Sequence, residues 1–202
     1  MKKPTTVRKP IAGDRLVFLG SFPQTVPVVG LPEVAFAGRS NVGKSSAINR
    51  LLGTPKAARV SSTPGRTQAV NLFEVEKRLV LADLPGYGFA KVPPEIQARW
   101  KDLVEGYLVS REPLKLAVVL LDPRRKPQDM DATLIWGLRE ARIPLLVLAT
   151  KVDKLKRSKA AHQLRQLRQA YGLKAHECVA FSSLDGTGVD QTWSIINAAV
   201  QA

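Results

Sequence analysis

Apolar residues gather along the chain in short blocks, and amphipathic polar stretches separate them. Residues 33–37 form a short apolar run bounded by turn residues, which predicts a buried strand, and residues 44–52 follow with apolar positions at helical spacing. Residues 70–75 and 79–82 predict two further strands, with Glu76-Lys77 as the hairpin turn between them. Residues 83–94 are interrupted by glycine and proline and predict a loop, and 95–109 predict a helix. Strands at 116–121 and 144–149 then alternate with helices near 129–141 and 157–171. A last strand at 178–181 precedes a helix over about 189–200. Apolar strands separated by helices imply a mostly parallel sheet covered on both faces.

Outside these blocks the pattern lapses. Residues 1 to about 30 carry Pro4, Pro10, Pro23 and Pro27 without a sustained period, so they read as a basic arm and an extended lead-in. That leaves 31–202 as one domain, in keeping with a chain of 202 residues. Residues 54–68, rich in Ser, Thr, Pro, Gly and Arg, predict a mobile loop. No internal repeat is visible.

Composition excludes several classes. A hydrophobic content of 45% argues against disorder over most of the length. The single cysteine, Cys178, leaves no intrachain disulfide partner; in its apolar run it reads as a small core residue, and a reducing interior fits. No apolar stretch approaches the roughly 20 residues of a membrane span. Met1 to Lys9 is basic, but Pro10 to Gly13 stands where a signal peptide would be apolar. A cytoplasmic protein is expected. His162 and His176 have no metal-ligand spacing and read as structural or surface residues.

Charge changes the picture most. Lysines and arginines number 31 against 17 acids, a net +14, and such a balance attracts polyanions in a salt-sensitive way. Residues 151–174 carry Lys151, Lys154, Lys156, Arg157, Lys159, Arg165, Arg168 and Lys174 against Asp153 alone. Arg165 and Arg168 share one helix face. Arg124-Arg125-Lys126 forms a second cluster and the N-terminal arm a third. Any one of these runs also looks like an ordinary solvated face; together they suggest a broad phosphate-binding surface.

The candidate chemistry begins where the first buried strand meets the first helix. Gly38-Arg39-Ser40-Asn41-Val42-Gly43-Lys44-Ser45 has the spacing of a P-loop. Its glycines let backbone N–H groups face phosphate oxygens, helped by the helix N-terminus. Lys44 would reach the β- and γ-phosphates, and the Ser45 hydroxyl would coordinate Mg²⁺. Asp83-Leu84-Pro85-Gly86 ends a buried strand in a glycine turn. That is what a carboxylate near the metal, acting through water, and a γ-phosphate-sensing amide at Gly86 require. Thr150-Lys151-Val152-Asp153 follows another buried strand, where ligands of open α/β sheets gather. The Asp153 carboxylate could accept from guanine N1–H and its exocyclic amine, whereas adenine would leave those groups mismatched. The Lys151 stem could lie along the base. Phe181-Ser182-Ser183 ends the last strand and would offer N–H groups to guanine O6, although such a loop is also an ordinary helix cap.

These motifs, in this order, resemble the EngB/YsxC (YihA) family of ribosome-biogenesis P-loop GTPases over about residues 33–200. The family-specific phrases are Thr-Pro-Gly-Arg-Thr-Gln at 63–68 and Leu-Pro-Gly-Tyr-Gly at 84–88. The resemblance implies a Ras-like three-layer α/β fold: a mostly parallel central sheet with one antiparallel strand and helices on both faces. It implies GTP and GDP as ligands and Gly65, Arg66, Thr67, Gln68 and Ala69 as part of the nucleotide site. Thr67 would join Ser45 on Mg²⁺, and Thr150 stands where most GTPases place an asparagine. Lys44, Thr67, Gly86 and Asn41 would be the residues that act on hydrolysis. Tyr87 occupies the position where many GTPases carry a water-orienting glutamine, so intrinsic hydrolysis is expected to be slow. Asn41 makes K⁺ stimulation a hypothesis. The resemblance further implies a nucleotide-switched assembly factor for the large ribosomal subunit, with its rRNA as partner, acting as a monomer and needed for cell division and septation. The alternatives are a tRNA-modifying GTPase, which would normally need a further catalytic domain or partner, and a GTPase associated with a membrane or septum.

Overall fold

Alternate residues of strand β2, Glu33–Gly38, enter different layers: Val34 and Phe36 one core, Ala35 and Ala37 the other. This period of two repeats across the sheet, so both of its faces are buried. The structure, a computed structural model, describes residues 15–54, 57–58, 69–88, 106–108 and 110–202. Its other strands are β1 (Leu16–Phe22), β3 (Val70–Val75), β4 (Leu79–Asp83), β5 (Leu114–Leu121), β6 (Leu145–Ala149) and β7 (Cys178–Ala180). The helices are α1 (Lys44–Leu52), α2 (Asp129–Glu140), α3 (Arg157–Ala170) and α4 (Val189–Gln201), with 3₁₀ turns at Val152–Lys154 and Ala175–Glu177.

The seven strands run in the order β1-β3-β4-β2-β5-β6-β7. Pairing is parallel from β4 through β7, and β3 alone runs against both of its neighbours. This is the expected three-layer α/β arrangement. Ala47, Ile48, Leu51 and Leu52 of α1 and Ile196 of α4 cover one face. Ile135 and Leu138 of α2, Leu167 of α3, Tyr107 and Leu108 cover the other. Fully buried side chains such as Phe36, Phe73, Phe181 and Leu148 each contribute about 1.5–3 kcal/mol relative to exposure. Because β2 lies between β4 and β5, the chain turns to one side after it and to the other after β4. The segment leaving β2 therefore opens at the switch point of the sheet.

Several expected elements hold nearly residue for residue, including α1, β3 and the turn at Glu76-Lys77. Both turn residues have φ 53° and Arg78 N–H donates to Val75 C=O at 3.0 Å, a type I′ turn built without glycine. Two differences have physical causes. Strand β5 begins at Leu114, earlier than the apolar run suggests, because its first two residues are not buried. The lead-in contains a strand that the hydrophobic pattern does not mark: β1 pairs antiparallel with β3 from Leu16↔Val75 to Phe22↔Val70. A register shift between Phe18 and Gly20 breaks its alternation, and as an edge strand it buries little of its length. The expected loop at 54–68 and helix at 95–109 lie largely outside the described residues; residues 106–108 are helical.

Candidate nucleotide site

The turn from β2 into α1 is shaped by close contacts. A Cβ on Gly38 would sit 3.0 Å from the Val42 side chain and 3.1 Å from the Leu120 carbonyl, so a larger residue there would press on both. Asn41 (φ 62°) and Gly43 (φ 109°) take left-handed conformations that curl the loop, and Gly43 caps α1. Lys44 and Ser45 open the helix. The Lys44 ammonium, buried, forms an ion pair with the Asp83 carboxylate at the end of β4. Two opposite charges thus meet at the floor of the site, on the side where phosphate and metal are expected.

The Asp83–Gly86 turn lies directly on the P-loop. Leu84 N–H donates to Phe36 C=O at 3.0 Å, Tyr87 N–H to Gly38 C=O at 3.3 Å, and Ser40 N–H to Tyr87 C=O at 2.9 Å. These bonds continue the β2–β4 ladder beyond its strands. A Cβ on Gly86 would be 2.8 Å from Ser40 Oγ and 3.3 Å from the Ser40 backbone, so a side chain here would force Ser40 to shift. Leu84 and Pro85 are buried. Tyr87 is buried as well, and its hydroxyl donates to Asp131 Oδ1 of α2 at 2.7 Å. Burial, followed by the Asp131 charge, pushes the phenol pKa well above its usual value. Burial also raises the Asp131 carboxyl, against the opposing hydrogen bond of Tyr87 and the charge of Arg39.

The third segment is fastened to the first. The Thr150 hydroxyl donates to Val42 C=O at 2.8 Å and approaches Leu121 C=O at 3.2 Å. Lys151, at φ 57°, extends its ammonium to Asn41 C=O at 2.7 Å and lies 3.6 Å from Asp122. Burial alone would raise the Asp122 pKa, but the bidentate Arg124 guanidinium, with Lys151 beyond, outweighs it and holds the carboxyl below its usual range. Asp153 is exposed, and Ser182 Oγ donates to its Oδ1 at 2.8 Å. Ser182, fully buried, also accepts from the N–H groups of Leu184 and Asp185. Phe181 N–H bonds Ala149 C=O and Val152 N–H bonds Phe181 C=O, so the loops after β6 and β7 are mutually tied. Val152 and Ser183 are half-buried in those loops.

The structure therefore brings 38–45, 83–86, 150–153 and 181–183 to one edge of the sheet. Ala69 precedes β3, half-buried. Gly65, Arg66, Thr67 and Gln68 lie outside the described residues. Sequence reasoning passed over a polar circuit beside the site. Arg39 donates to Gln128 Oε1 at 2.7 Å, Gln128 N–H donates to the Tyr171 hydroxyl at 3.0 Å, and that hydroxyl approaches Asp131 Oδ2 at 3.3 Å. It also passed over Asn49, which holds Ala58 by two bonds of 2.9 and 2.7 Å. Asp131 at a helix start carries the look of a simple dipole partner, and nothing local marks it otherwise. Among the described residues no group of three or more His, Cys, Asp and Glu could hold a metal ion, and no helix is long and apolar enough to cross a membrane.

Comparison with known proteins places the chain in a family. The 50S ribosome-binding GTPase family matches residues 33–151, more than half of the chain. A probable GTP-binding protein EngB of Geobacter sulfurreducens is 44% identical over 188 residues, covering 93% of this chain and 91% of that protein. Its counterpart in Solibacter usitatus is 47% identical over 180 residues, covering 89% and 92%. The crystal structure of a probable GTP-binding protein EngB superposes with a TM-score of 0.70 at 27% identity, covering 84% of this chain and 98% of that one. Era in complex with MgGDPNP and a segment of 16S ribosomal RNA shares the fold, with a TM-score of 0.67 at 22% identity over 84% of this chain and 56% of that one. The chain belongs to the EngB family of GTP-binding proteins and is a GTPase.

Proposed function

We propose that this GTPase is a Mg²⁺-dependent, nucleotide-switched assembly factor of the large ribosomal subunit. The observation that carries the nucleotide reading is the pair of side-chain bonds from Thr150 and Lys151 to the carbonyls of Val42 and Asn41. They make the guanine-selecting segment and the phosphate loop one continuous surface. In this reading the N–H groups of residues 38–45 and the Lys44 amine hold the phosphates, Asp153 selects guanine, and Ser182 orients Asp153. The Gly86 amide senses the γ-phosphate.

The donor set fits Mg²⁺, which keeps several waters and uses few protein ligands beside phosphate oxygens. Ser45 would ligate directly, Thr67 would join it, and Asp83 would act through water. When bound, the ion neutralises charge on the β- and γ-phosphates. Slow intrinsic hydrolysis follows from Tyr87: its hydroxyl is committed to Asp131 and its phenol stays protonated, so it supplies no base. Asn41, exposed at the loop tip, is the candidate K⁺ ligand.

The partner reading rests on charge. Between Asp153 and Glu177 no acidic residue occurs, and Lys154, Lys156, Lys159, Arg165 and Lys174 are exposed there. Arg125 and Lys126 are exposed nearby, whereas Arg124 is spent on Asp122. Such a face suits rRNA phosphates. A cytoplasmic monomer needed for normal cell division and septation completes the proposal.

The test has two parts. Titration with GDP, a GTP analogue and ATP, with and without Mg²⁺, should give guanine-only binding that Asp153→Asn weakens at least about a hundredfold. Equal binding of ATP would sink the nucleotide reading. Cosedimentation with 50S particles should depend on nucleotide and fall with added salt; no association in any nucleotide state would remove the ribosomal role.

A further inference from the structure

The Asp-Leu-Pro-Gly-Tyr-Gly phrase contains an aromatic side chain, Tyr87, that the phosphate chemistry leaves unused, and the fold commits it to a specific partner. We propose that Tyr87 and Asp131 are positioning residues for nucleotide discrimination: their buried hydrogen bond sets the Gly86 amide where a γ-phosphate is read. The inference rests on the reading of Gly86 given above.

Glycine is the residue least able to fix its own backbone, so Gly86 depends on its neighbours for orientation. Tyr87 anchors it in two ways. Its backbone bridges Gly38 and Ser40 of the P-loop, through bonds of 3.3 and 2.9 Å. Its hydroxyl reaches across to Asp131 at 2.7 Å, a charge-assisted bond inside the protein. Asp131 sits in the first turn of α2, a helix held to the sheet by Ile135 and Leu138, so it is a firm reference point. A second arm runs parallel. Arg39 of the P-loop donates to Gln128, immediately before α2, and at 3.4 Å to the carbonyl of Gly88. Space is tight here: a Cβ on Gly88 would lie 2.9 Å from Arg39 Nε. The Tyr171 hydroxyl, at the end of α3, closes the circuit by accepting from Gln128 N–H and approaching Asp131. Residues 86–88 are thus held between the P-loop and α2 by the side chains of Tyr87 and Arg39.

A bond that only stabilised the fold would affect every nucleotide alike. A bond that positions Gly86 affects only ligands bearing a γ-phosphate. Affinities for GDP and for a non-hydrolysable GTP analogue, measured by displacement of a fluorescent nucleotide beside the thermal midpoint, separate the two. Tyr87→Phe keeps the buried ring and is expected to weaken the analogue about tenfold while GDP stays within about twofold. Asp131→Ala provides a second route to the same selective loss. Asp131→Asn, which retains an acceptor oxygen, should restore most of the discrimination, and Tyr171→Phe, which leaves the Tyr87–Asp131 bond intact, should preserve it. Gly86→Ala serves as the parallel arm and should lose discrimination outright. Equal weakening of both nucleotides in Tyr87→Phe, or no change in either while Gly86→Ala shifts the ratio, overturns the positioning role and leaves Gly86 as the sensor. An unchanged ratio in Gly86→Ala overturns both.

Discussion

The Thr150 hydroxyl donates to the carbonyl of Val42 at 2.8 Å, so a side chain from the end of β6 closes the P-loop from behind. An asparagine amide would span the same gap with a longer arm; threonine does it with a hydroxyl that is itself buried. Thr150→Val keeps the shape and removes the donor. GDP affinity is expected to fall about five- to tenfold, because the Val42 carbonyl loses its partner in a dry site. Thr150→Ser should bind nearly as the native protein does. Calorimetric titration of the three proteins checks it, and native-like binding by Thr150→Val would refute the coupling.

At the opposite end of β2, Glu33 is fully buried and grips Arg111 through bonds of 2.8 and 2.7 Å, while the Tyr107 hydroxyl donates to the same carboxylate. Arg111 also donates to the carbonyls of Val26 and Pro27. Removing one partner strands the other charge, at a cost of about 3–5 kcal/mol. Glu33→Ala is therefore expected to lower the thermal midpoint by about 6–20 °C for a domain of this size. Nucleotide affinity at low temperature should hardly change, since the pair lies away from the P-loop end of the strand. Scanning calorimetry with a parallel GDP titration reads both outcomes.

Cys178 is half-buried at the start of β7, and burial lifts its thiol from 9.0 to about 11. The fold favours the protonated form. Its contribution to stability is therefore complete below pH 9, declines as the unfolded chain ionises above pH 9, and is gone above about pH 11. At pH 8 the folded thiolate fraction is about a hundredfold below that of the unfolded chain, so iodoacetamide should label the native protein about a hundredfold more slowly. Labelling at equal rates with and without denaturant would contradict this environment.

Asn41 projects from the loop tip at φ 62°. If it ligates K⁺, steady-state GTP hydrolysis should run several-fold faster in KCl than in NaCl at the same ionic strength, and Asn41→Ala should erase the difference. Matched rates in the two salts would end the idea.

Much of the fold was legible because its signal is local. The runs at 33–37, 144–149 and 178–181 are short and largely apolar, and the candidate site residues lie at their ends and in the loops after them. What was not legible depends on distant partners. Among the described residues strand β1 has one neighbour, and its register shifts between Phe18 and Gly20, so its outline is clear only beside β3. Glu33 falls within the apolar run of a buried strand, and its charge makes sense only with Arg111, 78 positions away. Tyr87 could be recognised as not being glutamine, but its tie to Asp131 is 44 positions long. The described residues place the P-loop, Asp83 and Asp153 at one edge, whereas the segment around Thr67 lies outside them.

The bridge between Ser40, Tyr87 and Gly38 has a further consequence for how the molecule breathes. Because those amides extend the β2–β4 ladder, their exchange with solvent is expected to be slower than that of free loop amides. In hydrogen-exchange terms, the first turns of the loops after β2 and β4 are expected to join the cooperative unit of the central strands. Loosening the grip there is expected to draw on the end of the central ladder as well as on the loops themselves.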